Sequence, residues 1–293
     1  MSILNFIPTI WAEGMIREMD RAHRFVQDCE RKYEGQLKKA GDKVIVPTLT
    51  TPDVTTIDLP AKGSDRLTKI AAPTALSDTG IEVMADKMTY FNFAVADIDR
   101  VQANQELMAE AQRQEAQKIA NAHDKLVANL AAKDEAVKLF STPMKVVSDT
   151  AVEGEINVLY LLDLAAQRLY ENDVPDSESI IATIPPRFHT LIKRRFIEQD
   201  TDNSDLMENG KVGKYGNITI RLSNNVNNAG TTSAPQDNIM IRTKNAVAFV
   251  EQLNDVEAYR PQDMVGADAV KGASVYGGKI IRPKKLIVAN VTY

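Results

Sequence analysis

Apolar positions in the first forty residues recur at helical spacing. Trp11, Met15, Met19 and Val26 share one side of the wheel, and Glu13, Arg17, Asp20 and Arg24 fall elsewhere. The pattern fits a helix packed on its own core and one docked on a neighbour equally well. Gly35 ends it, and after a turn at Gly41-Asp42 the run "DKVIVPTL" predicts a strand. A second strand-like run, "IEVMADKMTYFNFAV", follows some thirty residues later. The intervening "TTPDVTTIDLPAKGSDRLTKIAAPTALSDTG" is rich in Thr, Pro, Asp and Ser and poor in large apolar residues. This predicts a long excursion carried on two strands, and loops of that length are seldom idle.

From Asp97, a good N-cap, to about Lys133 there is no Gly or Pro, and Ala, Gln, Glu, Leu and Lys dominate. Such a helix would be on the order of 50 Å long. Its apolar stripe (Val101, Met108, Ile119, Ala122, Leu126, Leu130) is thin, and "AEAQRQEAQK" in its middle is polar or alanine. The expected element is a strut along one surface, not a helix enclosed by a core.

Beyond Pro143 the pattern becomes mixed. "GEINVLYLLDLAAQRLYENDV" predicts an amphipathic helix ending near Asn172, and "ESIIATIPPRFHTLIKRRF" a strand, a double-proline break and a helix. "KVGKYGNITIRLSNNV" predicts a hairpin, "NNAGTTSAPQDN" a long polar loop, and "IMIRTKNAVAFVEQL" a strand followed by a short helix. In "LNDVEAYRPQDMVGADAVKGASVYGGKIIRPKKL" the glycines Gly272, Gly277 and Gly278 are expected to turn the backbone sharply and pair as closing strands. "KIIRPKKLIVANV" would then return the chain to a sheet beside the long helix. Reading this stretch as a phosphate loop would require a following helix and a Mg²⁺ partner, and it offers neither.

Composition narrows the classes. The 293 residues suffice for one large domain or two ordinary ones, and 44% hydrophobic with 26% charged residues is ordinary for a packed chain. A formal net charge of −5 argues against a dedicated nucleic-acid binder, whose affinity comes chiefly from Lys and Arg. Cys29 is the single cysteine, so no intramolecular disulfide can form. No signal peptide and no run of about 18 apolar residues is visible, so a soluble, cytoplasmically made chain is expected.

Candidate chemistry is sparse. His23, His123 and His189 sit in three separate segments without ligand spacing, which predicts surface or structural roles and no metal. "DTDNSD" (200–205) begins like a calcium loop but has Asp205 at the sixth position and Lys211 at the twelfth, so a solvated turn is expected. "GKVGKYG" lacks the phosphate-loop spacing and reads as a hairpin turn. The sequon "NVT" (290–292) matters only in a secreted protein. No catalytic constellation and no cofactor site is predicted.

Three stretches together resemble a known family. "FIPTIWAEGM" with "RKYEGQLKKAGDKVIVP", then "GIEVMADKMTYFNFAVADIDRVQANQELM", then "AVAFVEQLNDVEAYRPQDMVGADAVKGASVYGGKIIRP" are similar, in order, to the arm, the spine-helix start and the axial-to-peripheral passage of tailed-bacteriophage major capsid (coat) proteins. That family has the HK-97-like fold shared with encapsulins and the herpesvirus capsid floor. The likeness is weakest over residues 135–240.

The resemblance implies an α+β chain with an arm (1–43), an extended two-stranded loop (44–94), a peripheral domain with a spine helix (95–150), an axial domain (151–265) and peripheral return strands (266–293). Trp11, Tyr33, Glu34, Gly41, Asp42, Tyr259, Arg260, Gly272 and Gly277 are the assembly or fold-defining positions it implies. The implied function is non-enzymatic: pentamers and hexamers close an icosahedral shell around a double-stranded DNA genome. The implied partners are further copies of the chain, a portal protein, packaged DNA held without sequence-specific contacts and, because the chain starts almost at the arm, a separate scaffolding protein or none. No membrane is involved, and the location is the virion, after assembly in the host cytoplasm. Two other readings remain: an encapsulin-type compartment, and a mixed α/β enzyme with a polar pocket in residues 150–260.

Overall fold

The computed structural model describes residues 17–19, 22–33, 43–49, 78–96, 105–133, 136–198, 213–231, 234–253, 257–259 and 267–293. In chain order the strands and helices begin with β1 (Lys43–Leu49), β2 (Asp78–Met84), β3 (Lys87–Ala96) and α1 (Gln105–Asn129). The short strands β4 (Val137–Lys138), β5 (Met144–Val147) and β6 (Glu155–Asn157) lead into α2 (Val158–Glu171). Next come β7 (Ile180–Ile184), α3 (Pro186–Glu198), β8 (Lys214–Tyr215), β9 (Ile218–Leu222), β10 (Asn227–Asn228) and β11 (Gln236–Thr243). The chain ends with β12 (Val247–Leu253), β13 (Glu257–Tyr259), β14 (Ala267–Ile280) and β15 (Leu286–Thr292).

A nine-stranded mixed sheet runs β6-β5-β15-β11-β7-β9-β8, with β10 beside β11 and β4 beside β15. Its core forms where the chain is most apolar. All of β7 is buried, and α2 turns Leu161, Leu162, Ala165 and Leu169 onto the sheet. Asn157 starts α2 by accepting the Leu159 N–H at 2.9 Å, which occupies one of the orphan donors of a helix N-terminus. The double proline stops β7, and Pro186 then sits in the first turn of α3, where a missing N–H costs nothing. Gly216 has φ of +55° and closes the tight β8–β9 hairpin, a conformation other residues rarely adopt.

The second sheet has four strands, β12-β14-β13 with β3 on the other side of β14. Over β12 and the adjoining part of β14 it is covered on both faces, while β3 leaves Met88 and Tyr90 exposed. Phe249 and Tyr276 point toward α1, while Ala248, Val250 and Val275 pack under the β1–β2 hairpin against Val44, Val46 and Val83. The hairpin register follows the pleat, with Val44 opposite Val83 and Val46 opposite Ile81, so its inner face is apolar and its outer face is wet.

Three expectations are corrected. The residues after β11 form the strand β12, not a helix, because pairing with β14 decides a short apolar run that is ambiguous by itself. Gly272, Gly277 and Gly278 lie inside the continuous strand β14 and turn nothing. What Gly277 supplies is a close approach, since a Cβ there would run into the Met84 carbonyl oxygen. α1 lies along the sheet with Arg113, Gln117 and Lys118 exposed, but its buried side, with Ala116, Ile119, Ala120, Val127 and Ala128, is broader than the thin stripe expected, and alanine lets the helix sit tightly on the sheet. The chain leaves the nine-stranded sheet after Thr243, builds β12 to β14, and returns to its centre as β15.

Candidate functional site

The described part of the amino-terminal segment is stitched into its own subunit's core. Glu30 forms a bridge alongside β12, its N–H donating to the Val247 carbonyl at 2.9 Å and its carbonyl accepting from Phe249 at 3.1 Å. Asp124 of α1 accepts the backbone N–H groups of Arg24, Phe25 and Val26 at 2.8, 2.9 and 3.1 Å. Burial pushes its carboxyl above the ordinary value, and these three donors pull the other way. From the opposite side Arg242 of β11, fully buried, donates to the carbonyls of Asp28 and Phe25. The 3₁₀ turn Val26–Asp28 is therefore held at its N–H groups by one helix and at its carbonyls by one strand. Cys29 lies beneath it, its thiol pKa raised by burial.

Next to this turn lies a polar centre. His23 Nε2 stands 3.3 Å from His123 Nδ1, and that same Nδ1 is 3.1 Å from Glu251 Oε2. His123 Nε2 meets the Ser274 hydroxyl at 3.2 Å, and Arg31 donates to Glu251 Oε1 at 2.8 Å. Both histidines are buried, and Tyr276 and Phe249 pack their rings on His123 at 4.1 and 5.6 Å. Burial raises the Glu251 pKa, but the hydrogen bond and charge of His123, with Arg31 and His23, outweigh it and hold the carboxyl below its ordinary value. The expectation of three separate histidines is thus corrected for two of them. The sequence carries no signal for this pairing, because the partners are 100 residues apart. His189 stands alone on α3, its pKa lowered by burial and then by Lys193.

The outer surface of β1, β2 and β3 has the opposite character. Ile45, Met84, Met88 and Tyr90 are exposed, Tyr90 by 73% and Met88 by 61%. Around them lies an exposed Lys43–Glu82 pair at 2.8 Å, which contributes little stability in water.

Of the positions singled out in the sequence, Trp11, Glu34, Gly41, Asp42 and Arg260 lie outside the described residues, as do the calcium-like "DTDNSD" run and the expected helix start at Asp97. Tyr33 packs at the edge of the apolar layer under the hairpin. Tyr259 bonds Asn92 across the sheet at 3.0 Å, with the Lys271 ammonium 5.2 Å above its ring. Gly272 and Gly277 lie on β14. These residues do not converge on one place. An open cleft of about 220 Å³ between α3 and β11 is lined by Pro185, Pro186, Arg187, Asn224, Val226, Asn228 and Asp237. Its one carboxylate, Asp237, lies beside Tyr293, whose phenol is pushed up by burial and then by Asp237.

No protein-family model and no curated protein matches the sequence. Solved structures do match over nearly the whole chain. A chain of Mycobacterium phage Che8 is 24% identical, with 90% of this chain and 89% of that one covered at a TM-score of 0.68. The capsid of cyanophage P-SCSP1u follows at 16% identity, 87% and 84% coverage and 0.61, and that of Ralstonia phage GP4 at 14%, 90% and 85%, and 0.54. The likeness is one of fold: this chain has the architecture of these phage capsid structures.

Proposed function

We propose that this chain is the major capsid protein of a tailed phage, assembling as pentamers and hexamers into an icosahedral shell around double-stranded DNA. The observation that carries the reading is the match of some nine-tenths of the chain to the Che8 phage structure, with phage capsids among the other matches. Exposed Ile45 and Met84 on the β1–β2 hairpin, with Met88 and Tyr90 on β3 of the four-stranded sheet, support it, because large apolar side chains left in solvent suit a surface meant to be covered. In this reading β1 and β2 are the base of an extended loop that reaches a neighbouring subunit, α1 is the spine, and the nine-stranded sheet is the axial domain. Subunit contacts are heterologous and close by rotation into rings. A scaffolding protein, a portal and packaged DNA are the partners, assembly runs in the host cytoplasm, and no catalysis is involved. A compartment for protein cargo would use the same fold; the phage capsids among the matches favour the virion.

Sedimentation velocity on the purified chain, alone and with candidate scaffold, tests the proposal. Capsomers or shells are expected, and deletion of residues 52–78 should leave a folded subunit that forms no stable shell. A strictly monomeric chain under every salt, pH and scaffold condition overturns the reading.

A further inference from the structure

The geometry points to a buried metal site: we propose that His23, His123 and Glu251 bind one divalent ion of the zinc class, tying the amino-terminal segment, α1 and β12 together. One ligand atom from each residue lies within 4.8 Å of the other two. Zinc sits about 2.0–2.1 Å from nitrogen and oxygen donors, so donors at neighbouring corners of its tetrahedron lie about 3.3 Å apart. The 3.3 Å from His23 Nε2 to His123 Nδ1 and the 3.1 Å from His123 Nδ1 to Glu251 Oε2 have that spacing. Two imidazoles and one carboxylate suit zinc and its transition-metal neighbours and not Mg²⁺ or Ca²⁺, which prefer all-oxygen shells.

The surroundings match what such ligands need. With Nε2 of His123 donating to Ser274, the Nδ1 lone pair turns toward the proposed ion, and this second partner fixes the tautomer. Arg31 occupies Glu251 Oε1 and leaves Oε2 as the ligand oxygen. Phe249 and Tyr276 wall the site with apolar surface, which strengthens the charge interaction. In the metal-free state His123 Nδ1 faces two partners with at most one proton, whereas a cation satisfies all three ligand atoms together.

The test uses the full-length protein, passed over a chelating resin and titrated with Zn²⁺ alone and, for its colour, Co²⁺ alone. Binding of one ion per chain is expected, with a tetrahedral cobalt spectrum. At about 100 times the dissociation constant the thermal midpoint should rise by about 5 °C. Glu251→Gln and His23→Gln, which keep side-chain volume, should each weaken binding by more than about 100-fold. Ser274→Ala should weaken it by about 10-fold with all three ligands intact. His189→Gln should bind as the parent does. Absence of Zn²⁺ binding and of a thermal shift, or equal binding by the parent, Glu251→Gln and His23→Gln, overturns the proposal. The centre would then be a proton-sharing hydrogen-bond cluster.

Discussion

The two sheets are held by different chemistry. In the nine-stranded sheet, Ile180, Ala182 and Ile184 of β7 meet Leu161, Leu162 and Leu169 of α2 and Phe188 and Ile192 of α3, all of them buried and apolar. In the four-stranded sheet the face toward α1 carries Glu251, Ser274 and Tyr276, and the helix answers with His123, while Asp124 beside it holds the amino-terminal turn. The first interface is non-directional, so it tolerates any filling of about the right volume. The second is directional. Each group there has a particular partner, and loss of one partner leaves another buried and unsatisfied, at a desolvation penalty of about 1–3 kcal/mol or more when charged. The polar interface also lies behind the hairpin whose outer face is exposed, so the sheet whose geometry is most tightly specified supports the exposed Ile45 and Met84.

The largest effect should come where the two systems meet. Arg242 belongs to β11 of the apolar sheet, but its guanidinium serves the carbonyls of Phe25 and Asp28. Arg242→Ala strands these buried acceptors and should cost about 3–5 kcal/mol in urea unfolding, the range for breaking a buried charged network. Arg242→Lys should recover little, since an ammonium cannot span two carbonyls as a planar fork does. Leu162→Ala, in the apolar core, should cost about 2–5 kcal/mol, but Leu162→Met there should cost under about 1.5 kcal/mol. If Arg242→Lys proves as mild as Leu162→Met, the contrast between directional and non-directional packing fails.

This contrast also explains what could be read from the sequence. α2 was legible because Leu161, Leu162, Ala165 and Leu169 keep helical spacing and Asn157 caps them. The β8–β9 hairpin was legible because its turn needs Gly216. The run Val247–Leu253 was not, for six or seven apolar-rich residues suit helix and strand alike until β14 supplies hydrogen bonds. The polar centre was illegible for a different reason. His23, His123 and Glu251 look like three residues on solvated faces, and only the packing of the amino-terminal segment between α1 and β12 brings them together. Binary patterning reports what avoids water. It says nothing of which buried polar groups meet.

Two smaller effects sharpen the comparison within the four-stranded sheet. Gly277→Ala drives a methyl into the Met84 carbonyl, which is backbone and cannot swing aside, so a loss of about 1–3 kcal/mol is expected. Gly278→Ala, whose new Cβ would stand 3.3 Å from the Leu126 Cδ2 and at an ordinary 3.5 Å from the Ala248 carbonyl, is tight only against the end of a side chain and should cost less. Equal losses would mean that the hairpin base is free to shift. Glu251 gives a pH signature in metal-free protein. Its folded pKa lies below the ordinary 4.5, so its contribution is fully present above 4.5 and disappears as pH falls through the lower folded value. The stability gap between the parent and Glu251→Gln should therefore narrow well below pH 4.5 and not on the alkaline side.

The smallest effect on the fold should accompany the largest effect on assembly. Ile45 and Tyr90 are 58% and 73% exposed, so truncating them removes little buried area from the subunit. The double change Ile45→Ser, Tyr90→Ser should move the unfolding midpoint by no more than the equivalent of about 0.5 kcal/mol per site, the usual range for exposed positions. At a subunit interface the same atoms would be desolvated, and burying an aromatic or branched side chain contributes about 1.5–3 kcal/mol each time. A shell repeats the contact in every subunit, so a modest loss per contact multiplies through the closed assembly. The double variant should therefore unfold like the parent yet sediment as free subunits or capsomers where the parent forms shells. Normal shells from this variant would show that the exposed row is solvated in the assembly. Loss of the cooperative transition would show instead that Ile45 and Tyr90 belong to the subunit's own core, and the difference between the buried and exposed faces of β1 and β3 would disappear.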